Sequence, residues 1–209
     1  MIAIPDPDVV FTDLGLAALG GYFAWRLRGR TGMMVMAGLA SAAFWGAMFH
    51  AFFPAQTATT GGYGIWLLVA FSIAVVAESL LDFGLRILVD RLSPRASARN
   101  TRVRRGVVFG YCIFFAAIVL FVDESFSTIV RVYAPILLLA LIASLVARWW
   151  YIASGLVMAA LASLLQQARV ALHPVYFDHN AVYHVLQAVA LVLLYWGFHG
   201  RRADQTARA

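Results

Sequence analysis

Seven long apolar runs, separated by short polar connections, constrain this chain more than any other feature. A membrane-spanning helix needs about 20 predominantly apolar residues, since each residue rises about 1.5 Å through the hydrocarbon core. Of 209 residues, 63% are hydrophobic and 12% are charged, whereas about a quarter of a soluble domain is charged. We predict an all-α integral membrane protein, one seven-helix domain over residues 1–209, with spans at about 9–27, 33–53, 64–88, 106–122, 126–147, 149–168 and 180–199.

The distribution of arginine predicts how these spans are oriented. The chain has no lysine, and most of its 16 arginines follow odd-numbered spans, with Arg169 as an exception. Positively charged connections stay in the cytoplasm, so we predict an outside N-terminus and a cytoplasmic C-terminus, in a membrane of the bacterial inner (plasma) type. The net charge of +6 therefore indicates topology, and we expect no nucleic-acid partner. These arginines are Arg26, Arg28, Arg30, Arg91, Arg95, Arg99, Arg102, Arg104, Arg105, Arg148, Arg201, Arg202 and Arg208.

Ionisable side chains at the start of the seventh run are the strongest indication of function. The stretch 177–187 reads Phe-Asp-His-Asn-Ala-Val-Tyr-His-Val-Leu-Gln and contains His179 and His184. Such groups are costly in hydrocarbon unless they are paired, hydrated or metal-bound, so each is a functional candidate. Counting residues from the helix ends places His50, late in the second span, at the depth of His184. We therefore predict a polar pocket that opens to the outside.

Three histidines near one level predict a zinc site. Imidazole is a favoured zinc ligand, and catalytic zinc commonly has three protein ligands and a fourth position for water. His50, His179 and His184 are the predicted ligands. In the alternative without metal, His184 bonds a carbonyl or Gln187, His179 lies at the interface beside Asp178, and His50 packs against its neighbours.

Other polar residues reach the same level from other helices. Asp13, in the first span, is a candidate general base or a group that orients a histidine. Gln167 and Asn180 are candidates for polarising a substrate carbonyl. Arg131 either contacts the substrate or pairs with a carboxylate of residues 123–124.

Two carboxylates of the third span lie deeper than the histidines. Asp82 precedes Arg86 by four residues, the favourable order for an ion pair on a helix. Glu78 is either a reserve general base or a buried, hydrogen-bonded acid.

The positions of the histidines resemble the superfamily that includes alkaline ceramidases and the progestin and adiponectin receptors. In that superfamily helix 2 carries an SxxxH motif, helix 3 a carboxylate, and helix 7 an HxxxH motif whose histidines bind zinc together with that of helix 2. His50 matches the helix 2 histidine and His184 the second histidine of helix 7. Gly46 takes the serine position and Asn180 the first helix 7 position, with His179 displaced by one residue.

This resemblance implies a zinc-dependent intramembrane hydrolase that cleaves an amide or ester bond of a membrane lipid, as a divergent member of the superfamily. The helix 3 carboxylate would be Glu78 or Asp82, with Asp13 from helix 1 as a substitute. The glycine at position 46 leaves either a different reaction or a binding protein that kept the metal. A homo-oligomer is left open.

Three other functions of seven-helix membrane proteins are alternatives to a hydrolase. A retinal protein is excluded, because its Schiff base needs a lysine amine and this chain has none. A haem held by His50 and His184 is an alternative cofactor, since two histidines at one depth can ligate its iron from both sides. A receptor-like or transport protein without chemistry is the third reading.

Overall fold

The structure is a computed structural model that describes residues 6–53, 59–92, 98–173 and 177–206. These ranges form seven α-helices, with one isolated β-bridge between His173 and Phe177 and no strand. The all-α, seven-helix prediction is thereby confirmed. The helices are α1 (Pro7–Arg26), α2 (Met33–Phe52), α3 (Thr60–Leu92), α4 (Ala98–Phe121), α5 (Phe126–Val146), α6 (Trp150–Gln167) and α7 (His179–Thr206).

Six of these helices, α2 to α7, are long and apolar enough to cross a membrane. Among the described residues, α1 falls outside this group because Asp8, Asp13 and Arg26 lower its hydropathy. It packs along α2 and α7 and completes the bundle. The helices are thus those of a membrane protein, and the orientation stays a prediction.

Three helices run further than their apolar cores predict. α3 continues to Leu92, α4 begins at Ala98, and α7 reaches Thr206. Arginine is a good helix former, so a helix can continue past the point where its apolar residues end. Of the connection expected at 92–101, residues 93–97 lie outside the described ranges, as do the side chains of the arginines at 91–99 and 201–208.

Small residues bring neighbouring helices close together. A side-chain carbon at Gly20 of α1 would lie 3.1 Å from Cβ of Ala40 in α2. One at Gly155 of α6 would lie 2.7 Å from Cγ of Leu194 in α7. Small residues permit close backbone approach in membrane bundles. The pairs α1–α2 and α6–α7 therefore pack tightly, while α4 lies at the edge against α3.

The two ends of the bundle differ in charge. At one end, the backbone N–H of Asp178 donates to Oδ2 of Asp8 at 3.1 Å, which joins the start of α7 to α1. At the other end, Nη1 of Arg30 lies 3.1 Å from Nδ1 of His199. We call the first the acidic end, which carries Asp6, Asp8, Asp123, Glu124 and Asp178. We call the second the arginine-rich end, which carries Arg26, Arg28, Arg30, Arg86, Arg104 and Arg148.

Candidate functional site

A cavity of about 240 Å³ lies inside the bundle near the acidic end. Residues of α1, α2, α3, α5, α6 and α7 line it, and most of them are apolar. We call it the histidine cavity. Its polar wall includes Asp13, His50, Gln166, Asn180, Tyr183 and His184.

His184 is held in place by two consecutive residues of α1. Its Nδ1 lies 3.0 Å from Oγ1 of Thr12, and its Nε2 lies 3.1 Å from Oδ1 of Asp13. His184 is 8% exposed and Asp13 is 3% exposed, so the pair is buried and shielded from solvent water. Both ring nitrogens therefore have partners on α1, and the acid–imidazole pair ties α7 to α1.

The hydroxyl of Thr12 links this pair to the backbone of its own helix. Oγ1 of Thr12 lies 2.8 Å from the carbonyl oxygen of Asp8 and 3.0 Å from Nδ1 of His184. A hydroxyl has one proton to donate. When Thr12 donates to the carbonyl oxygen of Asp8, its Oγ1 accepts from Nδ1–H of His184. When Thr12 donates to Nδ1 instead, the Nε2–H of His184 donates to the carboxylate of Asp13.

Because Gly46 has no side chain, α2 leaves room for the carboxylate of Asp13. A side-chain carbon built at Gly46 would lie 2.9 Å from Oδ2 of Asp13 and 3.5 Å from its Cγ. Separations below about 3 Å are closer than van der Waals contact allows. Oδ2 of Asp13 therefore fills space beside α2 that any larger residue would need, at the position that matches the serine of the SxxxH motif.

His50 and His179 have different surroundings. His50 is half-buried, lines the histidine cavity, and has its Nδ1 3.8 Å from Oδ2 of Asp6. His179 places its Nδ1 3.6 Å from Oδ2 of Asp178 and is not among the residues that line the cavity. The structure thus brings His50 and His184 to one cavity and places His179 outside it.

The predicted zinc site requires three ligands that lie close together. Across residues 6–53, 59–92, 98–173 and 177–206, no three His, Cys, Asp or Glu side chains are close enough together to hold a metal ion. His184 directs both ring nitrogens at α1. The arrangement does not fit a three-histidine site, and zinc binding stays a prediction.

Two amide side chains form a second polar pair in the cavity. Nε2 of Gln166 donates to Oδ1 of Asn180 at 3.2 Å, and both residues line the histidine cavity. Gln167 is exposed and donates to Oε1 of Gln166 at 3.2 Å. Asn180 is therefore placed where the sequence predicts, whereas Gln166 takes the place expected for Gln167.

The remaining candidates lie elsewhere. Arg131 is exposed and donates to the carbonyl oxygen of Ser127 at 3.2 Å and to Oγ1 of Thr128 at 2.9 Å, within its own first helical turns. Glu78 and Asp82 line a separate cavity between α3 and α4 and are not among the residues that line the histidine cavity. Their separation from the histidine cavity leaves Asp13 as its carboxylate.

The predicted ion pair of Asp82 with Arg86 is confirmed. Nη2 of Arg86 lies 2.7 Å from Oδ2 of Asp82. Arg104 of α4, which the sequence did not assign to this carboxylate, binds the other oxygen. Asp82 therefore joins α3 to α4.

Sequence reasoning missed Thr12 and Tyr183, the residues that precede Asp13 and His184 in the chain. The hydroxyl of Tyr183 accepts a hydrogen bond from Nε2 of Gln187 at 3.1 Å. The available signal in the sequence was that each of them is a polar residue directly before an ionisable residue of a predicted span. Adjacency does not say which face of the helix such a residue occupies, so only the packing of α1 on α7 identifies Thr12.

Comparison with known proteins gives a family and no function. Residues 9–203 of the chain match the sequence model of the family DUF6962, which is described as a family of unknown function. Neither the search of curated proteins nor the search of solved structures found a match. The resemblance to ceramidases and adiponectin receptors therefore stays a prediction.

Proposed function

The chain belongs to the DUF6962 family, and we propose from its own cavity that it is a membrane-embedded hydrolase that cleaves an amide or ester bond of a lipid. The observation that carries the proposal is the buried pair of Asp13 and His184, with 3.1 Å between Oδ1 and Nε2, on the wall of an internal cavity. Ionisable pairs inside a membrane bundle mark functional sites.

The surroundings of the cavity support a lipid as substrate. The cavity lies among helices whose outer surfaces are apolar, as expected of a protein that is surrounded by lipid. Its volume of about 240 Å³ is below the range of about 300–1,000 Å³ typical of pockets for drug-sized ligands. It therefore suits the polar linkage of a lipid, with the acyl chains left in hydrocarbon.

Asp13 is the group that can act as general base. Both nitrogens of His184 are engaged with α1, so Oδ2 of Asp13 is the remaining acceptor of the pair. It takes a proton from a water molecule, whose oxygen then bonds the carbonyl carbon of the substrate. The carbon–nitrogen or carbon–oxygen bond breaks, and Asp13 returns the proton to the leaving group. His184 holds the carboxylate through Nε2–H throughout.

Gln166 and Asn180 are positioned to stabilise the negative charge that develops on the substrate oxygen. Nε2 of Gln166 uses one proton on Oδ1 of Asn180 and keeps a second, and Nδ2 of Asn180 uses one proton on Oδ2 of Asp178 and keeps a second. Donors fixed in a water-poor site stabilise such charge strongly. This amide pair takes the role expected of the serine that Gly46 replaces.

The arginine asymmetry supports a cytoplasmic arginine-rich end. In that orientation the histidine cavity faces the outer leaflet, so the proposed substrate is an outer-leaflet lipid of a bacterial plasma membrane.

A lipid-release assay tests the hydrolase directly. The full chain is reconstituted in vesicles that contain mixed bacterial and sphingoid lipids, and free fatty acid is measured by mass spectrometry. We expect release from at least one lipid class above protein-free vesicles. If no lipid is turned over, the non-enzymatic receptor-like or transport function is favoured instead.

Zinc content is a separate prediction that comes from the resemblance. It predicts about one zinc per chain, measured by elemental analysis, with His50 and His184 among the ligands. A His50→Ala, His184→Ala double variant that keeps full zinc would contradict it. A strong Soret band in the purified protein would identify haem as the cofactor, and lipid release that survives a chelator would assign the reaction to the protein side chains alone.

A further inference from the structure

A second polar cavity lies between α3 and α4 towards the arginine-rich end of the bundle. Its volume is about 280 Å³, and it is lined by Glu78, Asp82, Arg105, Val108, Phe109 and Cys112. Phe109 is 68% exposed, so the cavity opens at the outer surface of the bundle, where lipid surrounds a membrane protein. We call it the α3–α4 groove.

The charges around the groove are incompletely paired. Asp82 binds both Arg86 and Arg104, so one carboxylate already serves two guanidinium groups. Arg105 is exposed, and in the described part of the chain it makes no ion pair or hydrogen bond. Among the described side chains of the groove and its rim, the three arginines Arg86, Arg104 and Arg105 therefore outnumber the two carboxyl groups Glu78 and Asp82.

Glu78 occupies the deeper part of the same groove. It lies four residues from Asp82 on α3, about 6 Å further into the membrane at 1.5 Å per residue. Within the described residues Glu78 makes no ion pair or hydrogen bond, and the thiol of Cys112 is its neighbour in the groove. A protonated carboxyl group is a hydrogen-bond donor.

We propose that the α3–α4 groove binds one anionic phospholipid of the leaflet at the arginine-rich end, with its phosphate on Arg105 and a glycerol ester carbonyl on Glu78. This site is separate from the histidine cavity and does not depend on the hydrolase function.

The order of groups along the groove matches the order of groups along a phospholipid. The phosphate lies at the membrane surface, the glycerol esters lie deeper, and the acyl chains follow. In the groove, Arg105 lies at the surface end and Glu78 one helical turn deeper, with Val108 and Phe109 as the apolar wall. The groove therefore offers a guanidinium group for the phosphate at its surface end and a carboxyl group for an ester carbonyl one turn deeper.

Charge favours an anionic headgroup over a zwitterionic one. Arg86, Arg102, Arg104 and Arg105 lie near this end of the groove, and Asp82 is the carboxylate that pairs with arginine there. Basic pockets between transmembrane helices bind anionic headgroups, and each arginine near the membrane surface contributes attraction. A phosphatidylcholine headgroup would bring its own cation to a site that is already positive.

Native mass spectrometry of the full chain tests the proposal. The protein is incubated with phosphatidylglycerol or phosphatidylcholine of the same acyl chains, and bound lipid per chain is measured. We expect one phosphatidylglycerol to be retained at concentrations where phosphatidylcholine is lost. Arg105→Ala should weaken retention about fivefold, whereas Arg28→Ala, which removes an arginine at the same end but outside the groove, should not.

Variants of Glu78 test the deeper contact. Glu78→Gln keeps a hydrogen-bond donor and should retain the lipid, whereas Glu78→Leu removes the donor and should weaken retention. Equal retention of the two lipids, or unchanged retention in Arg105→Ala, would overturn the proposal. Displacement by excess inorganic phosphate, without dependence on the acyl chains, would identify a site for free anions and overturn the assignment to lipid.

Discussion

Replacing Asp13 with asparagine is expected to lower the rate of fatty-acid release by about 10²–10⁴-fold, the contribution typical of a general base. Asparagine has nearly the shape of aspartate and keeps a carbonyl oxygen for Nε2–H of His184. It cannot accept a proton from water, so the step that generates the nucleophile is lost. The rate of release in reconstituted vesicles measures the effect.

Matched histidine variants identify the pair rather than the fold as the cause. His184→Ala should lose release as Asp13→Asn does, because the carboxylate then lacks its partner at 3.1 Å. His179→Ala removes a histidine five residues earlier that lies outside the cavity lining, and should retain release. Full release by Asp13→Asn would exclude Asp13 as the base, provided that the variant remains monodisperse.

Replacing Gly46 with alanine is expected to lower release by about 10²-fold, because a misplacement of about 1 Å can have that cost. The new methyl group would lie 2.9 Å from Oδ2 of Asp13, so the carboxylate must move away from its position beside His184. Stability should fall by about 1–3 kcal/mol, the range for overpacking, and towards the lower end of that range, since a carboxylate at the end of a side chain can rotate. Release rates and thermal unfolding of the same preparations measure both effects.

A second glycine and a double variant make this test specific. A side chain at Gly15 of α1 meets nothing within 4 Å, so Gly15→Ala should leave release unchanged. In an Asp13→Asn background, Gly46→Ala should cost no further activity, since both changes act on one group. Independent, additive losses would show that Gly46 acts on something other than Asp13.

The relation between Gly46 and Asp13 also bears on the resemblance to the ceramidase and receptor superfamily. A serine at position 46 would place its side-chain carbon 2.9 Å from Oδ2 of Asp13, too close for both groups to keep their positions. A helix 2 serine and an α1 carboxylate are therefore alternatives at this place in the bundle. The resemblance concerns the positions of His50 and His184, and Asp13 is a feature of this chain.

The number, type and approximate bounds of the helices follow from the sequence. A run of about 20 apolar residues in hydrocarbon has no water to bond its backbone N–H and C=O groups, and a helix pairs these groups within the run. Depth follows as well, since helical rise is constant. His50 and His184 line one cavity, and Glu78 and Asp82 line another.

Rotation about the helix axes is what the sequence did not determine. Apolar residues surround each helix of a membrane bundle, so the amphipathic pattern that identifies the inner face of a soluble helix is weak. Depth alone therefore could not distinguish Gln167, which does not line the cavity, from Gln166, which does, and it did not identify Thr12 as the partner of His184. The contacts of α1 with α7, and the space that Gly46 leaves beside Asp13, decided which polar groups meet.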